Sequence, residues 1–112
     1  PKLKYIVTEA GCAWVPDILA RMDALWERVR TGVAGEFQFN SDAVTPEKPS
    51  FYAKRNCFYG ASSASPVELR DREVIGTQRV LWGSDYPHYE GTYPHTKLAL
   101  RHTFHDVPVD ET

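Results

Sequence analysis

Arg79-Val80-Leu81-Trp82-Gly83-Ser84-Asp85-Tyr86-Pro87-His88 is the stretch on which the reading of this chain turns. Val80, Leu81 and Trp82 are β-branched or large apolar residues that suit a pleated, buried surface, and Gly83, Ser84, Asp85 and Pro87 end the run in turn-forming residues. A short strand therefore delivers a carboxylate, Asp85, just past its carboxyl end. In parallel α/β folds the loops that carry chemistry converge at that end.

Two similar units precede it. Leu3 to Thr8 is β-branched and aromatic and closes on Glu9-Ala10-Gly11, a strand ending in a turn. Pro16 suits a first helical turn, and Ile18, Leu19, Met22, Leu25, Trp26 and Val29 recur at three- and four-residue spacing, which predicts an amphipathic helix over Pro16 to Arg30 stopped by Gly32. Residues 31–49 hold two Gly and two Pro without a sustained period and read as a long loop. Ser50 is placed to cap a helical turn through Lys54, and Asn56 to Ala61 has the aromatic content of a second strand. Ser65-Pro66-Val67-Glu68 is a capping box with proline at the first helical position, predicting a helix to about Val74 ended by Gly76. After the third strand, a turn-rich stretch from Ser84 to Pro94 leads into a helix from His95 to Phe104.

Strand, helix, strand, helix, strand, helix is the pattern of an α/β fold with parallel strands joined by right-handed crossovers. A parallel sheet is normally buried on both faces, and three strands cannot close a barrel to bury the inner one. The pattern predicts an incomplete object.

Composition narrows the partners. Apolar residues make up 42% and charged residues 25% of 112, which describes a packed globular chain. The net charge is −2, with Lys and Arg scattered, so no footprint for nucleic acid or an anionic membrane is present. No run approaches the roughly 20 apolar residues that span a bilayer, and the basic start lacks a secretory apolar core, so a cytoplasmic setting is expected. Cys12 and Cys57 have no metal or redox spacing and read as buried thiols.

Three loops follow the strands: Glu9 to Trp14, Gly60 to Ser65, and Ser84 to His95. In the third, Asp85 can ligate a divalent cation or act as a general base; alternatively it accepts backbone hydrogen bonds in a turn before Pro87. His88 and His95 can ligate metal or sit as surface groups, and a local zinc site of Asp85, His88 and His95 has no standard spacing behind it. Glu9 can reach the same mouth, and Trp14 can border it or simply pack. Ser62, Ser63 and Ser65 lack the Gly-x-Ser-x-Gly elbow of a serine nucleophile, and Ser65 is better used as a cap.

Three blocks, in order, resemble the amidohydrolase-related family, in particular its aminocarboxymuconate-semialdehyde decarboxylase-like branch. They are Thr8-Glu9-Ala10-Gly11-Cys12-Ala13-Trp14-Val15-Pro16, Lys48-Pro49-Ser50-Phe51-Tyr52, and Leu81-Trp82-Gly83-Ser84-Asp85-Tyr86-Pro87-His88 with Glu90-Gly91-Thr92-Tyr93-Pro94. The resemblance implies a distorted (β/α)8 barrel, with these strands as its sixth, seventh and eighth and residues 1–112 as its C-terminal part. It implies Asp85 as metal ligand and proton-transfer group, with Glu9, Trp14 and His88 at the substrate. The implied cofactor is a divalent metal, zinc foremost, and the implied activity is hydrolysis or non-oxidative decarboxylation of a small carboxylate, amide or ester.

The family's His-x-His pair and its histidine after the fifth strand have no counterpart here, and no His-x-His occurs in the chain. The expected partner is therefore the N-terminal remainder of the barrel, with the chain truncated at both ends and inactive by itself. The rival expectation is a non-catalytic α/β fragment that folds by association, homo-oligomers included.

Overall fold

Strand β1 (Tyr5–Val7), β2 (Cys57–Ser62) and β3 (Val80–Gly83) form a parallel sheet in the order β1-β2-β3 in the computed structural model, which describes residues 2–33 and 44–112. Most of the predicted 31–49 loop, residues 34–43, lies outside the described residues. The helices are α1 (Val15–Arg30), α2 (Pro49–Asn56), α3 (Pro66–Leu69), α4 (Arg72–Ile75) and α5 (Thr96–Thr103). The alternation of strands and helices is the predicted one. Among the described residues no helix is long and apolar enough to cross a membrane.

Register decides which side chains meet. Tyr5 pairs with Cys57, Val7 with Tyr59, Tyr59 with Val80, and Ala61 with Trp82, so these residues share one face. On that face Tyr59 packs with Cys12, Val15, Leu19, Ala53 and Ile75 into the core, with Val7, Cys57 and Val80 against it. The opposite face carries Ile6, Phe58 and Leu81. Ile6 is 53% and Leu81 40% exposed, so this face lies open, relieved only where the Arg79 guanidinium sits 4.8 Å from the Phe58 ring centroid.

Three predicted details change. The apolar stripe of α1 is only partly used: Leu19 is buried and Leu25 is 55% exposed, whereas Ile18 and Met22, 40% and 47% exposed, line an apolar groove of about 480 Å³ that continues onto Tyr5 at the β1 edge. Ser50 does not cap its helix. Lys48 holds that position, and the Ser50 N–H and hydroxyl donate to the two Asp23 carboxylate oxygens at 2.9 and 2.6 Å, tying α2 to α1. The helix predicted over Ser65 to Val74 is two short ones, broken where Asp71 leaves helical geometry (φ −102°, ψ 22°). Leu69 and Ile75, both buried, are six residues apart and would point about 120° away from each other on a straight helix; the break turns both inward.

The capping box at Ser65 does more than start α3. The Ser65 N–H donates to Glu68 Oε2 (3.0 Å) and the Cys12 N–H to Glu68 Oε1 (3.2 Å), while the Cys12 thiol donates to the Glu68 carbonyl (3.2 Å). One carboxylate thus joins the loop after β1 to the loop after β2. At the other side of the sheet the buried Thr103 hydroxyl donates to the Ala64 carbonyl and docks α5 against the β2 loop.

Both cysteines are free, Cys12 fully buried as expected and Cys57 only partly so. Burial, and secondly the Glu68 charge, push the Cys12 thiol from its ordinary value of 9.0 to about 11. The folded state therefore holds this proton more tightly than the unfolded chain does. Stability is expected to be unaffected by this group below pH 9 and to fall as pH rises towards 11. A Cys12→Ala variant should lose that part of the pH dependence, measured by urea unfolding across the range, and thiol labelling of the folded chain at pH 8 should reach Cys57 only.

Candidate functional site

All three strands end in a residue with left-handed backbone geometry that is not glycine: Glu9 (φ 61°) after β1, Ser63 (φ 53°) after β2 and Asp85 (φ 58°) after β3. Such conformations cost of order 1–3 kcal/mol each and persist where the surroundings impose them, often at functional sites. Here they mark one rim of the sheet, the carboxyl end that the sequence singled out. At Ser63 the surroundings are identifiable, because its N–H donates to the Gly83 carbonyl at 3.1 Å and extends the β2–β3 ladder.

The loop after β3 is closed by its own backbone. The Thr92 N–H donates to the Ser84 carbonyl (2.9 Å), the His88 N–H to the Asp85 carbonyl (2.8 Å), and the Gly91 N–H to the His88 carbonyl (3.1 Å). Thr92 Oγ1 also lies 3.1 Å from Thr96 Oγ1, linking the loop to the first residue of α5. Three carbonyl oxygens crowd around Gly91: a Cβ there would stand 2.8 Å from that of Asp85, 2.9 Å from Ser84 and 3.0 Å from His88. Only glycine fits.

This closure folds three chemically active side chains together. Asp85 Oδ1 lies 3.1 Å from His88 Nδ1, and single ligand atoms of Asp85, His88 and Glu90 all fall within 4.8 Å of one another. The Asp85 side chain is only 14% exposed, and His88 is its sole side-chain hydrogen-bond partner among the described residues. No Lys or Arg within the described residues forms an ion pair with it. A carboxylate with so little exposure depends on its hydrogen-bond partners, and here a single imidazole supplies one. One imidazole and two carboxylates are a donor set that suits a divalent cation. The alternative of Asp85 as a backbone-bonded turn residue is not what forms: the turn is made by its carbonyl, leaving its carboxylate facing His88.

The other expected site residues are placed as follows. Glu9 is exposed on the rim, and no hydrogen bond of its side chain occurs among the described residues. The Trp14 indole N–H is used within its own loop, donating to the Ala10 (2.9 Å) and Gly11 (3.2 Å) carbonyls, while the ring packs edge-on against Tyr59 at 6.0 Å. That leaves part of a 40%-exposed ring, not the N–H, to meet a ligand. His95 does not join Asp85 and His88; it stands at the start of α5, where its carbonyl accepts from the Leu98 and Ala99 N–H groups and its side chain makes no cap. Glu90 takes the third place instead. No motif announces it, since positions 85, 88 and 90 converge only because Gly91 lets the loop fold back on itself. Ser63 carried no sequence signal either, because a left-handed serine has none.

A protein-family model described as Amidohydrolase matches residues 1–111. No curated protein matches the chain.

Proposed function

The chain belongs to the amidohydrolase family, and from that premise we propose that it is part of a metal-dependent hydrolase or non-oxidative decarboxylase whose site is organised around Asp85. The observation that carries this reading is the Asp85 carboxylate, 14% exposed at the carboxyl end of β3, with no Lys or Arg paired to it among the described residues. In this reading β1, β2 and β3 are the last three strands of a (β/α)8 barrel, in the aminocarboxymuconate-semialdehyde decarboxylase-like branch. The remainder of the barrel covers Ile6, Phe58 and Leu81. The cofactor is a divalent metal, zinc in the first instance. A small carboxylate, amide or ester is the substrate, and we take the enzyme to be cytoplasmic, in keeping with two free thiols.

A bound divalent cation would supply Lewis-acid polarisation of a substrate oxygen or of water. The residues of this chain do the rest. Asp85 would hold the cation, and its carboxylate carries the proton, accepting it from water in hydrolysis and giving it to the leaving group. In decarboxylation the same carboxylate would return the proton to carbon. His88, 58% exposed, fixes Asp85 through Nδ1 and presents Nε2 to the substrate. Glu9 borders the opening from the β1 side, where a carboxylate selects for a cationic or hydrogen-bond-donating substrate group, and the Trp14 ring supplies apolar wall.

The test is Asp85→Asn in the protein expressed from its full gene. Metal content is expected to fall at least tenfold and turnover by 10³-fold or more, on the scale of losing a metal ligand that is also the proton carrier. Unchanged metal content together with unchanged turnover would overturn the assignment.

A second reading has its own observation. The sheet face that carries Ile6 and Leu81 leaves them 53% and 40% exposed. An uncovered face of a parallel sheet suits a non-catalytic α/β piece that completes its core by association with another chain or a second copy. Sedimentation of the purified chain distinguishes the two: a monomer that unfolds cooperatively speaks against this reading, and a stable dimer speaks for it.

A further inference from the structure

Trp82 stands on the core-facing side of β3, in register with Ala61. Its indole N–H is enclosed, and no acceptor meets it among the described residues. Enclosed donors without an acceptor are rare, because each gives up its hydrogen bond to water for nothing. Trp82 is also one wall of a small cavity, about 40 Å³, between β3, α4 and the segment that follows α5. Arg72 and Glu111 are two more of its walls, and their side chains pair at 2.6 Å, only 18% and 28% exposed. We infer that this cavity is a binding site for the carboxylate group of a small apolar acid, received by the Trp82 indole N–H and the Arg72 guanidinium, with Glu111 as its built-in competitor. The inference does not rest on Asp85 and stands or falls separately from it.

Size and chemistry agree. A water-sized group needs about 10–15 Å³ of such space, so a cavity of about 40 Å³ holds roughly three non-hydrogen atoms, the size of a carboxylate. A second cavity of about 320 Å³ adjoins the first and shares Leu69, Arg72 and Val107 as walls. The hydrocarbon part of the acid lies there, against Leu69 and Val107. Arg72 commits Nε to Glu111 and Nη1 to the Leu69 carbonyl at 3.3 Å, which leaves its other terminal nitrogen uncommitted among the described residues. Guanidinium and carboxylate make charge-assisted bonds, and the indole adds a neutral donor that a carboxylate oxygen can also accept. A water molecule can satisfy the indole as well, but it carries no charge and does not compete for Arg72.

Glu111 shows that Arg72 takes a carboxylate in this place. It is carried on the turn Val109–Glu111, where Val109 is 89% exposed. Among the described residues, Arg72 is the only side chain outside that turn that bonds to it. A turn held by one ion pair can lift while the core around Ile75 stays closed. An acid bound to Arg72 therefore displaces Glu111, and the two exclude each other.

The experiment uses the protein expressed from its full gene, labelled with 5-fluorotryptophan and followed by fluorine NMR. Sodium acetate is the probe, and sodium chloride at the same ionic strength is the control. Trp82→Phe identifies the resonance. Acetate is expected to shift the Trp82 signal with a dissociation constant of about 1–10 mM, the range for a ligand of so few atoms, and chloride is not. Hexanoate should bind at least fivefold more tightly than acetate, because its chain reaches the larger cavity. Arg72→Gln should abolish the shift. Glu111→Gln, on a surface turn where the fold is retained, should tighten acetate at least fivefold by removing the competing charge. An affinity left unchanged by Glu111→Gln overturns the inference. So does a Trp82 signal that acetate leaves in place, the result expected if the indole meets only an internal water. Acetate that moves Trp14 and not Trp82 also overturns it, since it places the anion at the rim near Asp85.

Discussion

Replacing Gly11 with alanine is expected to lower the stability of this chain by about 3 kcal/mol, and replacing Gly32 with alanine by only about 1. The two glycines have nearly the same backbone, φ 61° and 71°, so the left-handed cost of a Cβ, roughly 1–2 kcal/mol, is common to both. Their surroundings differ. At Gly32 a Cβ meets nothing within 4 Å, whereas at Gly11 it would lie 2.0 Å from Glu68 Oε1. The far end of a glutamate can usually swing aside cheaply. Here it cannot do so without leaving the Cys12 and Ser65 N–H groups it accepts from. Losing the cap costs about 1 kcal/mol and orphaning a part-buried N–H about 1 more. Chemical denaturation of both variants measures the difference. Glu68→Ala provides the check: in its background Gly11→Ala should cost little more than the left-handed strain, and a full, undiminished penalty would show that the carboxylate is not the obstacle.

Replacing Gly91 with alanine is expected to cost 1–3 kcal/mol and to take the β3 loop apart locally. The Cβ would stand at or below 3.0 Å from three backbone carbonyl oxygens, and none belongs to a side chain that can rotate away. The loop must open, and with it go the hydrogen bonds that place His88 and Glu90 beside Asp85. Metal content of the full protein should therefore fall although Asp85 itself has not been altered. Amide exchange should quicken over residues 84–92 while the core around Ile75 keeps its protection. An alanine variant with unchanged exchange in the loop would contradict this account of how the cluster is built.

Much of this was legible before any coordinates. Strand residues Val80 to Gly83, the capping box at Ser65 and the periodic α1 are local properties: β-branched content, cap chemistry and apolar spacing act within a few residues and survive changes of context. The same holds for Asp85, which stands directly after a strand. The expectation of an incomplete sheet also came from counting strands, and the open face of Ile6 and Leu81 agrees with it.

What tertiary structure decided lies wherever two distant segments share one group. Glu68 reads in sequence as a cap for its own helix and serves Cys12 as well, 56 residues away. Ser50 looks like a cap and instead grips Asp23, because α2 packs across α1. The helix from Ser65 splits so that Leu69 and Ile75 can both turn inward, a demand of the core and not of local propensity. At the site, sequence put Asp85 and His88 at the mouth and left open whether His95 lies near them. The crowding around Gly91 curls the loop so that His88 and Glu90 meet Asp85 while His95 is carried off to begin α5. Spacing along a chain reports neighbours only where the backbone is regular; in a loop, the carbonyls that a single glycine must accommodate determine which side chains meet.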